Sequence, residues 1–148
     1  MSAECMFCRI ALGSLPASIE RAGRYFDGWM PITPHAAQWG RMWSEIKAIA
    51  RAAGRNPDAL VGSMYLNIVL DDDKARANAR LDHFLETYYS APAAVLRKRQ
   101  MSYAGPAGGV AEWLNGYVRA GCSHLVLRFA GEHERHMDAI AGLREKIA

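Results

Sequence analysis

Residues 103–131 read YAGPAGGVAEWLNGYVRAGCSHLVLRFAG, and a whole helix-then-strand unit with both ends marked is legible in them. Val110, Trp113, Leu114, Tyr117 and Val118 recur at the i, i+3, i+4, i+7, i+8 spacing that lays one apolar stripe along one helix face. Gly105 and Pro106 open the unit. Gly121 falls where helices commonly end in a left-handed residue, a conformation glycine adopts without a Cβ clash. His124 to Phe129 then reads as a strand, and its Leu125-Val126-Leu127 centre suits a parallel sheet covered on both faces. This pairing predicts an α/β fold.

Outward from that unit, SMYLNIVL (63–70) is the strongest strand signal, with Met64, Leu66, Ile68 and Leu70 on one face and Tyr65, Asn67 and Val69 on the other. YFDGWM (25–30) reads as a shorter strand stopped by Pro31, after a helix-like stretch from Ile19 to Arg24. Thr33 is the expected N-cap of the next helix and Pro34 its first residue. Trp39, Met42, Trp43, Ile46, Ile49 and Ala50 continue that helix until Gly54. Asp71-Asp72-Asp73 invites a metal reading. These acids stand where a helix begins, however, and capping its free N–H groups accounts for them better. Lys74 to Tyr89 is predicted helical with Ala77, Leu81, Phe84, Leu85 and Tyr88 inward, and Ser90 and Pro92 start a further helix through Gln100. A last helix from Glu132 to Ile147 is expected to turn His136, Met137, Ile140, Leu143 and Ile147 to the core. The sum is three parallel strands with covering helices.

A chain of 148 residues supports one domain with a real core, and 51% apolar with 22% charged residues is ordinary globular composition. The net charge of +3 is spread out, and the one basic cluster, Arg97-Lys98-Arg99, reads as a solvated helix face, so no nucleic-acid partner is expected. No apolar run approaches the roughly 20 residues of a membrane span, and the N-terminus lacks a secretion signal; a cytoplasmic location is expected. Three cysteines fit reduced thiols better than a disulfide framework. Cys122 follows Gly121 and is expected to be buried. Trp29, Trp39, Trp43 and Trp113 are best accounted for by core packing. His133 and His136, three apart on one face, read as surface and boundary residues. No Ser-His-Asp or Cys-His order suggests a nucleophile, and no catalytic residue is assigned.

Residues 1–17, MSAECMFCRIALGSLPA, differ in character from the rest. Cys5-Met6-Phe7-Cys8 has CxxC spacing, followed by Ile10, Leu12 and Leu15 in strand-like alternation. This head resembles the opening of histidine-triad (HIT) nucleotide-binding proteins, where a CxxC, an apolar pair and a Gly-x-x-Pro-Ala turn precede the first strand. His35, His83, His124, His133 and His136 form no His-x-His-x-His run. A lone CxxC supplies half of a tetrahedral zinc site, so two ordinary thiols are the favoured reading and no metal is assigned.

From about Pro16 onward the chain resembles the luciferase-like monooxygenase superfamily, flavin- or F420-dependent oxidoreductases on a (β/α)8 barrel. RAGRYFDGWMP (21–31), AGRNPDAL (53–60), YLNIVLDDDKARANARLDHFLETYY (65–89) and YAGPAGGVAEWLNGYVRAGCSHLVLRF (103–129) carry the resemblance. The two resemblances together divide the chain into a HIT-like head over 1–17 and the C-terminal part of a TIM barrel over 18–148, with the three strands as the barrel's last. A complete barrel of this kind takes about 250 residues. By the luciferase-like resemblance FMN or F420 is the implied cofactor, held at the C-terminal ends of strands. The candidate cofactor-binding residues are Trp29, Arg128 and Gly131. Gly131 and the following helix N-terminus could receive an anion, while Arg128 is equally read as an outward strand residue. A homodimer, or a partner chain that completes the barrel, is the expected assembly, with no activity in the lone chain. The alternatives are a non-catalytic self-associating α/β module and a HIT-like nucleotide-binding protein.

Overall fold

A computed structural model describes residues 9–147 and shows a parallel sheet built around one long central strand. In chain order the elements are β1 (Ile10–Leu12), α1 (Pro16–Tyr25), β2 (Gly28–Met30), α2 (Ala36–Ala52), β3 (Val61–Leu70) and α3 (Lys74–Tyr89). They continue with α4 (Ala93–Arg99), β4 (Ser102–Gly105), α5 (Ala107–Arg119), β5 (His124–Phe129) and α6 (His133–Ala141), with short 3-10 turns at Pro57–Ala59 and Arg144–Lys146.

All strand pairs are parallel. β1 lies beside β2, with Leu12 opposite Met30. β2 meets only the start of β3, pairing Gly28 with Val61 and Trp29 with Gly62. β4 meets its end, from Asn67–Ser102 to Leu70–Gly105. Tyr65 N–H donates to the Pro31 carbonyl, Asn67 N–H to Met101 and Met101 N–H to Ile32, so β2 and β4 follow one another along the same edge of β3. β5 runs along the opposite edge, from Ser63–His124 to Ile68–Phe129.

The alternation along β3 separates two cores. Met64, Leu66, Ile68 and Leu70 face a cluster with Trp29, Trp39, Trp43, Ile46, Val110, Leu114 and Tyr117, so the stripes of α2 and α5 bury one face of the sheet. Gly62 is what lets α2 come so close, since a Cβ there would stand 2.8 Å from the Trp39 ring. Trp39 Nε1 donates to the Ser63 carbonyl at 3.1 Å, and its ring lies 5.5 Å from both Trp29 and Trp43. On the other face only the end of β3 is covered, where Val69 packs with Ala77, Leu81 and Leu85 of α3 and Leu96 of α4.

Several expectations are corrected. The sheet has five strands rather than three, because β1 and β4 span only three and four residues and are too short to show periodicity. The stretch read as the end of the head supplies β1. Cys5 and Cys8 lie outside the described residues. The second helix begins at Ala36, not Pro34: His35 is its N-cap, with Nδ1 accepting from Gln38 N–H at 3.4 Å, while the Thr33 hydroxyl donates to the Arg99 carbonyl. β5 is covered on one face only, and Val126 is 39% exposed. An apolar strand run looks the same whether or not its second face is covered. The last helix stops at Ala141 rather than Ile147, and Met137 is exposed instead of inward. His136 is fully buried, as its place on the inward stripe of the last helix predicts and against its reading as a boundary residue beside His133. α3 and β5 have the predicted bounds, and Gly121 has the predicted left-handed φ of +101°.

Candidate functional site at the C-terminal ends of the strands

The turn from β3 into α3 is built by its acids. Asp73 caps α3, its Oδ1 accepting from the N–H groups of Ala75 and Arg76 at 2.9 and 3.0 Å. Asp71, almost wholly buried, accepts from Asp73 N–H at 2.9 Å and takes both arms of Arg76, at 2.7 and 2.5 Å. The Arg76 hydrogen bond, reinforced by the backbone donor, holds the Asp71 carboxyl down at about 2. Arg80 stands 3.6 Å from Asp71 and pairs with Glu132 at 2.6 Å, which also receives Arg135 at 2.9 Å. The Arg80 hydrogen bond is the main cause that keeps the Glu132 carboxyl below its ordinary range. The positive N-terminus of α6 is thus already matched by a carboxylate of its own, tied to two arginines.

Between β5 and α6 the chain turns through Gly131 and Glu132, with left-handed φ values of +82° and +44°. A Cβ on Gly131 would meet nothing closer than the Arg80 guanidinium, at an ordinary contact distance of 3.9 Å. His136, one helical turn on, fixes this corner from inside. Its Nε2 accepts the Leu70 N–H at 2.8 Å and Nδ1 lies 2.7 Å from the Glu132 carbonyl, so the imidazole is the tautomer with hydrogen on Nδ1. It packs against Phe129 at 5.5 Å. The buried imidazole therefore ties the end of β3 to the start of α6.

Arg128 lies on the sheet face opposite Met64 and Leu66, beside Asn67. Its guanidinium sits 3.6 Å from the Tyr88 ring centroid and 4.9 Å from that of Phe84, with Nη1 donating to the Tyr89 hydroxyl at 3.5 Å. Burial works against its charge, but hydrogen bonds with Tyr88 and Tyr65 more than offset this and leave its pKa above the ordinary arginine value. Phe84 also lines a cavity of about 290 Å³ with Arg80, His83, Thr87, Ala130 and Gly131. Phe84 therefore adjoins both Arg128, which sits over its ring, and Gly131, which lines the same cavity.

Trp29 stands apart from them. It is fully buried on the helix-covered face, and its indole N–H is used by the Gly13 carbonyl at 2.7 Å. Cys122 is buried, and desolvation pushes its thiol up to about 11, so it is a core residue with a poorly ionised sulfur. The aromatic partners of Arg128 were legible as residues but not as a site: Phe84 and Tyr88 are spaced i, i+4 on a helix, the pattern of an inward stripe. The one available signal was that Tyr88 and Tyr89 continue this stripe past its apolar members.

No helix among the described residues is long and apolar enough to cross a membrane. No curated protein matches the chain. Among solved structures it is similar to an F420-dependent secondary alcohol dehydrogenase in complex with an F420-acetone adduct, at 18% identity and a TM-score of 0.77 over 94% of this chain and 48% of that one. A long-chain alkane monooxygenase superposes with a TM-score of 0.69 at 14% identity, over 93% of this chain and 41% of that one. The coenzyme F420-dependent tetrahydromethanopterin reductase from Methanopyrus kandleri gives 0.63 at 15% identity, over 88% and 48%. The chain thus spans less than half the length of these proteins, and at such identities the likeness shows the shared fold. The sequence profile of the luciferase-like monooxygenase family matches residues 10–148. The chain belongs to the luciferase-like monooxygenase family.

Proposed function

We propose that this chain forms part of a flavin- or F420-dependent oxidoreductase whose cofactor reaches the C-terminal ends of β3 and β5. The observation that carries the reading is that Phe84 adjoins both groups: its ring backs the cationic Arg128, and it lines one cavity with the Gly131 backbone. These groups suit a cofactor that is both anionic and aromatic. Arg128 would hold an oxygen anion through donors pre-oriented by Tyr88 and Tyr89. The glycine lets a phosphate approach the main chain without a side-chain clash. FMN or F420 would supply the hydride-transfer chemistry when bound. Trp29, buried with its N–H already used, would support the sheet behind the site rather than touch the cofactor.

A cavity of about 290 Å³ is at the small end for a ligand site, so the lone chain would contact the cofactor on one side and turn over no substrate. Titration of the purified chain with FMN and with F420, followed by fluorescence, tests this. One of the two should bind, and Arg128→Met should weaken that binding at least tenfold while leaving the far-UV circular dichroism unchanged. Binding of neither, or equal binding by the variant, sinks the proposal.

A further inference from the structure

We infer that two copies of this chain associate about an axis parallel to their strands and close one eight-stranded barrel. The inference goes beyond the cofactor assignment and rests on sheet geometry alone. β4 only extends the edge that β2 begins on β3, so the circuit across the sheet is β1-β2-β3-β5, four parallel strands. Among the described residues β1 pairs only with β2 and β5 only with β3, which leaves two open edges. Open edges invite a further strand.

Because all four strands point the same way, a half-turn about an axis along them sets β5 of each copy beside β1 of the other. No strand is reversed, and β1 and β5 each gain the second neighbour they lack. The count becomes eight, the number at which inward side chains just fill a barrel. Each contact is head to tail, yet the ring closes after two copies, so the assembly stops there.

The face that would turn inward is the one left bare. Leu12 is 62% exposed and Val126 39% exposed, and Leu12, Met30, Ile32 and Tyr65 line an apolar cleft of about 250 Å³. Helices cover the opposite face completely enough to bury Trp29 and Trp39, so the outer wall of such a barrel is already in place. Closure also completes the candidate site, which in one copy is half a rim: Arg128 and Gly131 of each copy would face the rim of the other.

Sedimentation equilibrium of the 148-residue chain tests the inference, with about twice the 16.4 kDa monomer mass expected. Leu12→Lys and Val126→Lys place charges on side chains that are solvent-exposed in one copy but enclosed in the barrel. Both variants should sediment as monomers with unchanged circular dichroism. A double variant, Ile10→Cys with Val126→Cys, separates this geometry from other dimers. A shear of eight, split between two copies, steps the register by four residues at each seam and sets Ile10 of one copy opposite Val126 of the other. In one chain these positions lie three strand spacings apart, at least roughly 14 Å, too far for a disulfide. Peptide mapping should find the 10–126 link between two chains. A monomeric wild type, lysine variants that remain dimeric, or no 10–126 link would each overturn the barrel. A dimer that binds no cofactor would refute the assignment of the site and leave the closure standing.

Discussion

The two faces of the sheet are made from alternate residues of the same strands, yet they have opposite fates. Met64, Leu66 and Ile68 are fully buried under α2 and α5, whereas Tyr65 is only partly buried and Val126, its neighbour on β5, is 39% exposed. The covered face settles its polar groups as well: Trp39 reaches Ser63, Tyr117 donates its hydroxyl to Pro34 at 3.1 Å, and Cys122 contributes its thiol to the carbonyls of Gly62 and His124. On the open face the one charged strand residue, Arg128, depends on aromatic rings sent over from α3. The contrast separates what a single chain can stabilise alone from what it holds out to something else.

If stability resides on the covered face, the largest loss should come there. Trp39→Ala removes a fully buried ring wedged against Gly62 and between two other tryptophans. It should cost about 3–5 kcal/mol in urea unfolding, enough to unfold a marginal domain. A loss below about 1 kcal/mol would mean that the tryptophan row is not the anchor of the fold.

His136 joins the two faces at the strand ends, and its effect should be intermediate. His136→Phe keeps the ring volume but leaves Leu70 N–H without an acceptor in a buried corner. The expected loss is about 1–3 kcal/mol. Hydrogen exchange at Leu70 should accelerate more than at Leu66, whose environment the substitution leaves intact. Equal acceleration at both amides would show that His136 acts through packing only.

The acid cluster makes a smaller and pH-dependent contribution. Asp71 is depressed to about 2 in the folded chain, against an ordinary carboxyl value near 3.8. A lowered folded value means that its stabilisation is complete above about pH 4 and drains away as pH falls toward 2. Acid unfolding followed by circular dichroism should therefore show Asp71→Asn less stable than wild type at pH 6, with the two curves converging below pH 3. Curves that stay parallel across that window would place the acid sensitivity elsewhere.

Much of the covered face was legible in the residues. The 3.6-residue stripe of α5, the alternation of β3 and the left-handed Gly121 each mark a local event, and local events leave local signals. Asp73 is legible as a cap for the same reason, while Asp71 in the same run turns to Arg76 instead. What escaped reading depends on distant residues. β1 and β4 are strands only because β2 and β3 lend them partners, and the role of His136 as an acceptor depends on the Leu70 N–H 66 residues away. The candidate site was half legible. Strand ends pointed to Arg128 and Gly131, but the rings that seat Arg128 looked like core residues of α3, and Trp29 lies on the wrong face to join them.

The smallest effect, and the one that sharpens the contrast most, should come from the open face. Leu12 is 62% exposed, so in a dilute solution of single chains Leu12→Ser removes little buried surface and should shift stability by no more than about 0.5 kcal/mol. The same residue becomes consequential once a second copy covers it, because association that favours the folded state makes the melting temperature depend on concentration. Wild type should therefore melt higher as concentration rises, while Leu12→Ser should melt at nearly one temperature throughout. A substitution on the covered face would lower both curves by the same amount and leave the concentration dependence untouched. Parallel curves for wild type and Leu12→Ser would mean that the open face is merely a tolerated surface, and the difference between the two faces would then be one of solvation rather than of assembly.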